Sequence, residues 1–187
     1  MRLNSDSPVL SFDVESIGLH GEGFAVGIVA ARDRKIEAEY VFWCDPKIAH
    51  GDDAGHQWVK ENIPPFETVT CDTADFHEMC LTSIEQVRGA FWNVWEKYKK
   101  LGYQLLADVS WPVEANFLSA CIQDAPDTRA WNGPYPMLDV SSISALTTLE
   151  SPQRLPSELP LHHPLMDARH SLRSLWEALE TLPYEFT

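Results

Sequence analysis

Val9-Leu10-Ser11-Phe12-Asp13-Val14-Glu15 is a run of strand-forming residues that closes on two carboxylates. Side chains alternate along a strand with a period of two, so Asp13 and Glu15 share one face. Like charges at that spacing repel unless something positive lies between them. A hard divalent cation such as Mg²⁺ or Mn²⁺ is the usual compensator. An acidic chain of this length supplies about one D-x-E by chance. The meaning of the pair therefore rests on what the rest of the chain brings to it.

Outward from this run, Leu19 to Gly23 holds two glycines and reads as a turn, and Phe24 to Ala31 is a second apolar strand. Arg32-Asp-Arg-Lys35 reads as a charged hairpin turn and Ile36 to Cys44 as a third strand, which together predict an antiparallel meander. The pattern weakens from Asp45 to Thr82. There His50 to Gly55 is loop-like, and Gln57 to Asn62 forms a short helix ended by Pro64-Pro65. Ile84, Val87, Phe91, Val94, Tyr98 and Leu101 recur at steps of three and four and mark a long helix. Ser83 with Gln86 resembles a capping box, and Gly102 stops the helix. Beyond it the spacing predicts a strand over 104–109, a helix over 113–122, a small strand over 137–140 and a helix over 142–148. A proline-rich loop over 151–164 and a last helix from Asp167 to Leu182 complete the chain. Strands gathered first and alternating with helices later predict a single α/β layered domain, residues 1–187, with a mixed sheet.

Composition narrows the function. The chain has 187 residues, 44% hydrophobic and 22% charged, which suits one soluble globular domain with a sizeable core. A net charge of −14 argues against salt-driven binding along extended nucleic acid, but not against a small site where metal ions carry the positive charge. No apolar run is long enough to span a bilayer, so no membrane partner is expected. Met1-Arg-Leu-Asn-Ser-Asp-Ser-Pro8 lacks a signal-peptide stretch, which points to the cytoplasm. Cys44, Cys71, Cys80 and Cys121 form no regular framework and read as buried thiols.

Three further features fall where a metal site needs them. Asp108 ends a strand, Glu114 opens the helix that follows, and His162-His-Pro-Leu-Met-Asp167 sets a histidine five residues before an aspartate at the last helix. His163 is the adjacent alternative to His162.

This ordered set resembles the DEDDh (DnaQ-like) 3′–5′ exonucleases of the ribonuclease H-like superfamily. Asp13-Val-Glu-Ser-Ile-Gly-Leu19 is similar to the family's D-x-E-T-x-G-L opening, with Ser16 in place of threonine, and Asp167-Ala-Arg169 matches the end of its H-x-A-x-x-D-A-R run. The family's middle N-x-x-F-D-x-x-F-like run is not matched cleanly. Asp108 stands at the strand end and is slightly preferred; Glu114, three residues before Phe117, stays open as the alternative.

The resemblance implies a ribonuclease H-like mixed five-stranded sheet flanked by helices. It also implies two Mg²⁺ or Mn²⁺ ions per site, held by Asp13, Glu15, Asp108 (or Glu114) and Asp167, with His162 as general base. Ile17, Gly18 and Leu19 would touch the terminal sugar or base. The expected substrate is a single-stranded or short RNA or DNA 3′ end, released as nucleoside 5′-monophosphates. A homodimer is common in similar enzymes, though no motif here encodes one. The rival reading is a catalytically inactive module of the same fold that binds nucleic acid or a protein partner.

Overall fold

A computed structural model of the chain describes residues 3–66, 73–147 and 151–182. The strands are β1 (Val9–Ser16), β2 (Gly23–Arg32), β3 (Lys35–Trp43), β4 (Phe76–Cys80), β5 (Gln104–Ala107) and β6 (Leu138–Asp139). The helices are α1 (Asp53–Asn62), α2 (Ile84–Lys100), α3 (Ala115–Gln123), α4 (Pro126–Arg129), α5 (Val140–Ser144) and α6 (Pro164–Thr181). The strands form one mixed sheet in the order β4-β3-β2-β1-β5-β6. β2 is antiparallel to both of its neighbours and every other pairing is parallel.

The expected meander is present, and its charged turn closes with Asp33 and Arg34 both in the left-handed region. The sheet has six strands where five were expected. The additional β4 is an edge strand on β3, and four of its five residues are exposed. With neither face buried, it lacks the alternation that reveals a strand in sequence.

Alternation along β1 sorts the two faces of the sheet. Phe12 packs against Phe91 of α2 with tilted rings whose centroids are 5.2 Å apart, and Phe91 meets Phe117 of α3, so α2 and α3 cover one face. Ser11 donates to the carbonyl of Ala168 in α6 at 2.9 Å, which places α6 on the other face, the one that Asp13 and Glu15 share. Leu10, Phe12, Leu105, Leu106, Leu165 and Leu172 are almost fully buried between these layers. No helix among the described residues is long and apolar enough to cross a membrane.

Helix ends follow local chemistry. The Ser83 hydroxyl accepts from the amide of Gln86 at 3.3 Å, while the Gln86 side chain turns to Thr82 rather than back to Ser83. α2 ends before Gly102, whose φ is +85°. α1 begins at Asp53, four residues before the expected Gln57, because Asp52 caps it by accepting from the amide of Gly55 at 2.6 Å. α6 begins one turn before the expected Asp167. Pro164 occupies its first position, where a proline lacks only an amide hydrogen that the helix would leave unpaired. Asp167 is thus the fourth residue of α6. A short helix, α4, lies in the stretch expected as loop, and the helix expected over 142–148 runs instead over Val140–Ser144, with 145–147 in a turn and residue 148 outside the described residues. Cys44 and Cys121 are buried as expected, Cys80 is exposed, and Cys71 lies outside the described residues.

Candidate metal centre

β1 carries the site because it is central and because β5 leaves it early. The two pair only from Val9 to Ser11 of β1, so the strand is open on that side from Phe12 onward. The wound turn Ser110–Glu114 fills the gap and brings the buried Glu114 against β1. On the other side Asp13 lies opposite Gly27 of β2. A Cβ at Gly27 would meet the backbone of Pro164 and Leu165 at 2.2 Å, so the first turn of α6 rests directly on the sheet there. That turn delivers Asp167 to the face of β1 that carries Asp13 and Glu15.

The donor atoms of Glu15, His162 and Asp167 all lie within 4.8 Å of one another, the only such group of three among the described residues. Asp13 lies outside that group of three but within the field of all the acids. Burial raises its pKa well above the ordinary carboxylate value, and the charges of Glu15, Asp167, Glu114 and Asp108 raise it further. Burial, then Asp167 and Glu114, pushes Glu15 up to about 9, against the opposing field of Arg154. Burial likewise lifts Glu114 to about 7, partly offset by its own amide and that of Val14. Asp167 is raised by burial against the pull of Arg154, His162 and His170.

The two candidates for the middle acid differ in reach. Glu114 is buried and acts on both Asp13 and Glu15. Asp108 is exposed beyond the end of β5, acts on Asp13 alone of that pair, and is raised by burial against the fields of His170 and Arg154. The longer glutamate side chain enters from the turn that replaces β5, whereas Asp108 stays at the rim. Asp139 ends the neighbouring β6 but is committed to structure. It accepts from the amides of Ser110 and Ser142, both at 2.7 Å, and from the Ser141 hydroxyl at 2.6 Å. Although burial works against it, these bonds hold its carboxyl below the usual range.

The two adjacent histidines separate cleanly. His163 is fully buried and bonds through Nε2 to the carbonyl of Phe66 at 3.2 Å; burial lowers its pKa. His162, with φ +57°, turns its ring out to the acids and makes a T-shaped contact with Trp58, at a centroid distance of 4.9 Å.

Beside Glu15 lies a groove of about 340 Å³ lined by Val14, Glu15, Ser16, Gly18, Leu19, Trp58 and Val113. Gly18 and the exposed Leu19 border it. The side chain of Ile17 does not: it is buried against Gly51, and turns away from the groove. Trp58, which the sequence reading passed over, forms the opposite wall. It reaches this position because Gly55 lets α1 approach closely: a Cβ there would sit 2.9 Å from the backbone of Ile17 and 3.0 Å from that of Gly18. A glycine inside the capped start of α1 was the available signal, but it reads as a loop marker until its packing partner is seen.

No known protein-family model matches the chain, and no curated protein matches it. The geometry therefore carries the functional reading by itself.

The donor set suits a hard cation. Carboxylates withdrawn from water and crowded on one another raise each other's proton affinity, and oxygen ligands of this kind are what Mg²⁺ and Mn²⁺ prefer.

Proposed function

We propose that this protein is a metal-dependent 3′–5′ exonuclease of the DEDDh (DnaQ-like) kind, with a ribonuclease H-like fold. It would trim single-stranded or short RNA or DNA to nucleoside 5′-monophosphates. The observation that carries the reading is the meeting of Glu15, His162 and Asp167 within 4.8 Å beside Asp13. Residues far apart in sequence, each picked out by its motif, meet at one end of one sheet.

Asp13, Glu15, Glu114 and Asp167 would hold two Mg²⁺ or Mn²⁺ ions, with Asp108 at the rim. When bound, such ions make water a nucleophile near neutral pH and stabilise the charge that develops on the phosphate and leaving oxygen. His162 would accept the proton of the attacking water at a ring nitrogen. Trp58 packs T-shaped against the imidazole, which orients the ring before substrate arrives. The groove between Leu19 and Trp58 would take the terminal base, since an aromatic face and an aliphatic side chain clasp a base without reading its identity.

One contact favours the rival reading of an inactive binding module. Arg154 donates to Asp167, using an oxygen that a metal would otherwise claim. Incubating the protein with single-stranded RNA and DNA oligonucleotides in Mn²⁺ separates the two. Mononucleotide products that vanish in Asp13→Ala support the exonuclease, and internal fragments would instead indicate an endonuclease. Absence of both cleavage and metal binding leaves the binding module.

A further inference from the structure

The acid cluster contains one arginine in direct contact with it among the described residues. Arg154 approaches from the segment before α6 and donates through Nη1 to Asp167 and, at 3.2 Å, to the carbonyl of Glu158. Its charge also bears on Glu15 and Asp108.

The way this side chain is used sets it apart from its neighbours. Arg169 places its Nε and Nη2 on the two oxygens of Glu39 at 2.6 and 2.9 Å, and Arg173 does the same to Glu158 at 2.5 and 2.7 Å. Those are saturated forks on buried carboxylates, the arrangement expected of structural arginines. Arg154 spends only Nη1. Its Nε and Nη2 have no partner among the described residues, and its side chain is 24% exposed. The open edge is the one that binds two oxygens of a planar or tetrahedral anion side-on.

Arg154 is also held in advance. Glu158 is buried and accepts from the amide of Leu155 at 2.9 Å as well as from Arg173, with His170 Nδ1 at 3.2 Å. These contacts fasten residues 154–158 to α6, the helix that carries Asp167. A cation fixed beside metal-binding acids competes with the metal, which is a cost unless the cation has its own counterpart in the substrate.

We propose that Arg154 is a substrate-binding residue. Its Nη1 stays on Asp167 while its Nε–Nη2 edge takes two oxygens of the phosphodiester to be cleaved. This rests on the nuclease reading and adds to it the group that recognises the substrate's charge directly.

The test uses the full chain in Ca²⁺, chosen to allow binding without turnover, and a short fluorescent single-stranded oligonucleotide read by anisotropy. Mn²⁺ affinity is measured separately by magnetic resonance titration. Arg154→Ala should weaken oligonucleotide binding about tenfold or more. Arg154→Lys should weaken it less, because it keeps the charge and loses the fork. Mn²⁺ should bind the alanine variant as tightly as wild type or more tightly. If Arg154→Ala melts below the assay temperature, Arg154→Gln takes its place, keeping bulk and a donor without charge.

Oligonucleotide affinity within twofold of wild type overturns the proposal. So does a parallel loss of Mn²⁺ affinity, which would make Arg154 a prop for Asp167. In both cases the nuclease reading survives. Wild type that binds neither Mn²⁺ nor oligonucleotide sinks that reading, and this proposal with it.

Discussion

Gly27 lies directly opposite Asp13 across the β1–β2 ladder, and the side chain it lacks is the space into which the first turn of α6 descends. The two residues are one device: the strand supplies one acid, and its neighbour's bare backbone admits the helix that supplies another. Gly27→Ala would place a methyl 2.2 Å from the Pro164–Leu165 peptide, where backbone and not a movable side chain is met. α6 must lift, taking Asp167 and His162 with it. The expected cost is about 1–3 kcal/mol of stability, read by urea denaturation. Mn²⁺ affinity should fall at least tenfold in whatever fraction stays folded, and unchanged Mn²⁺ binding would show that α6 is not seated by this contact.

Crowded acids make the metal-free protein pH-sensitive in a defined direction. Burial, with Asp167 and Glu114 nearby, raises Glu15 from 4.5 to about 9, and burial raises Glu114 from 4.5 to about 7. In those intervals the folded chain keeps protons that the unfolded chain has released, so stability declines as pH rises. The contribution is whole below about pH 4.5. It is lost by about pH 7 for Glu114 and about pH 9 for Glu15. Melting curves in chelator should therefore fall in temperature from pH 5 to pH 9, and added Mg²⁺ or Mn²⁺ should reverse much of the fall. Glu15→Gln is neutral without having to hold a proton and should raise the metal-free melting temperature at pH 8 by about 2–6 °C. A variant that melts lower than wild type there would mean that Glu15 is paired rather than crowded.

The middle acid can be decided by two isosteric substitutions. Glu114 is buried among Asp13 and Glu15, so Glu114→Gln should reduce cleavage on the order of 100-fold and weaken Mn²⁺ binding. Asp108→Asn, at the exposed rim, should cost tenfold or less. Calorimetric titration of Mn²⁺ into both variants reads the difference independently of activity. The reverse ranking would seat Asp108 as the ligand.

Much of this arrangement was legible before the structure because it repeats with a period. The β1 run and α2 each show two or more pleats or turns of periodicity, the hairpin is marked by its charged turn, and each stands where the pattern put it. β4 was not legible because neither of its faces is buried. The start of α1 was hidden because Gly55 serves a helix-to-loop contact rather than a turn. The same applies to the site. Asp13, Glu15, His162 and Asp167 lie in compact motifs. Glu114 depends on how the 110–114 turn fills the place β5 vacates, Trp58 on a glycine contact, and Arg154 on a loop latched by Glu158. Those three are products of packing between distant segments, which local pattern does not encode.

Arg169 illustrates the division within a single motif. In Asp167-Ala-Arg169 the aspartate reaches the acid cluster, while the arginine turns to Glu39 of β3, a carboxylate with no exposure at all. The pair crosses from α6 to the third strand and fixes the rotation of the helix about its axis, and so the direction in which Asp167 points. Removing Glu39 takes the counter-charge from a guanidinium that is only 13% exposed, so Glu39→Ala should cost about 3–5 kcal/mol. Replacing both, as Glu39→Met with Arg169→Met, should recover most of that stability because the cross-section stays filled and no charge is stranded. Stability and function should then part company. The double variant is expected to melt near wild type yet bind Mn²⁺ more weakly, by about three- to tenfold, since packing alone sets the helix rotation less tightly than a two-pronged ion pair. Mn²⁺ affinity equal to wild type in a stable double variant would show that Gly27 and the first turn of α6 orient Asp167 without help from Arg169.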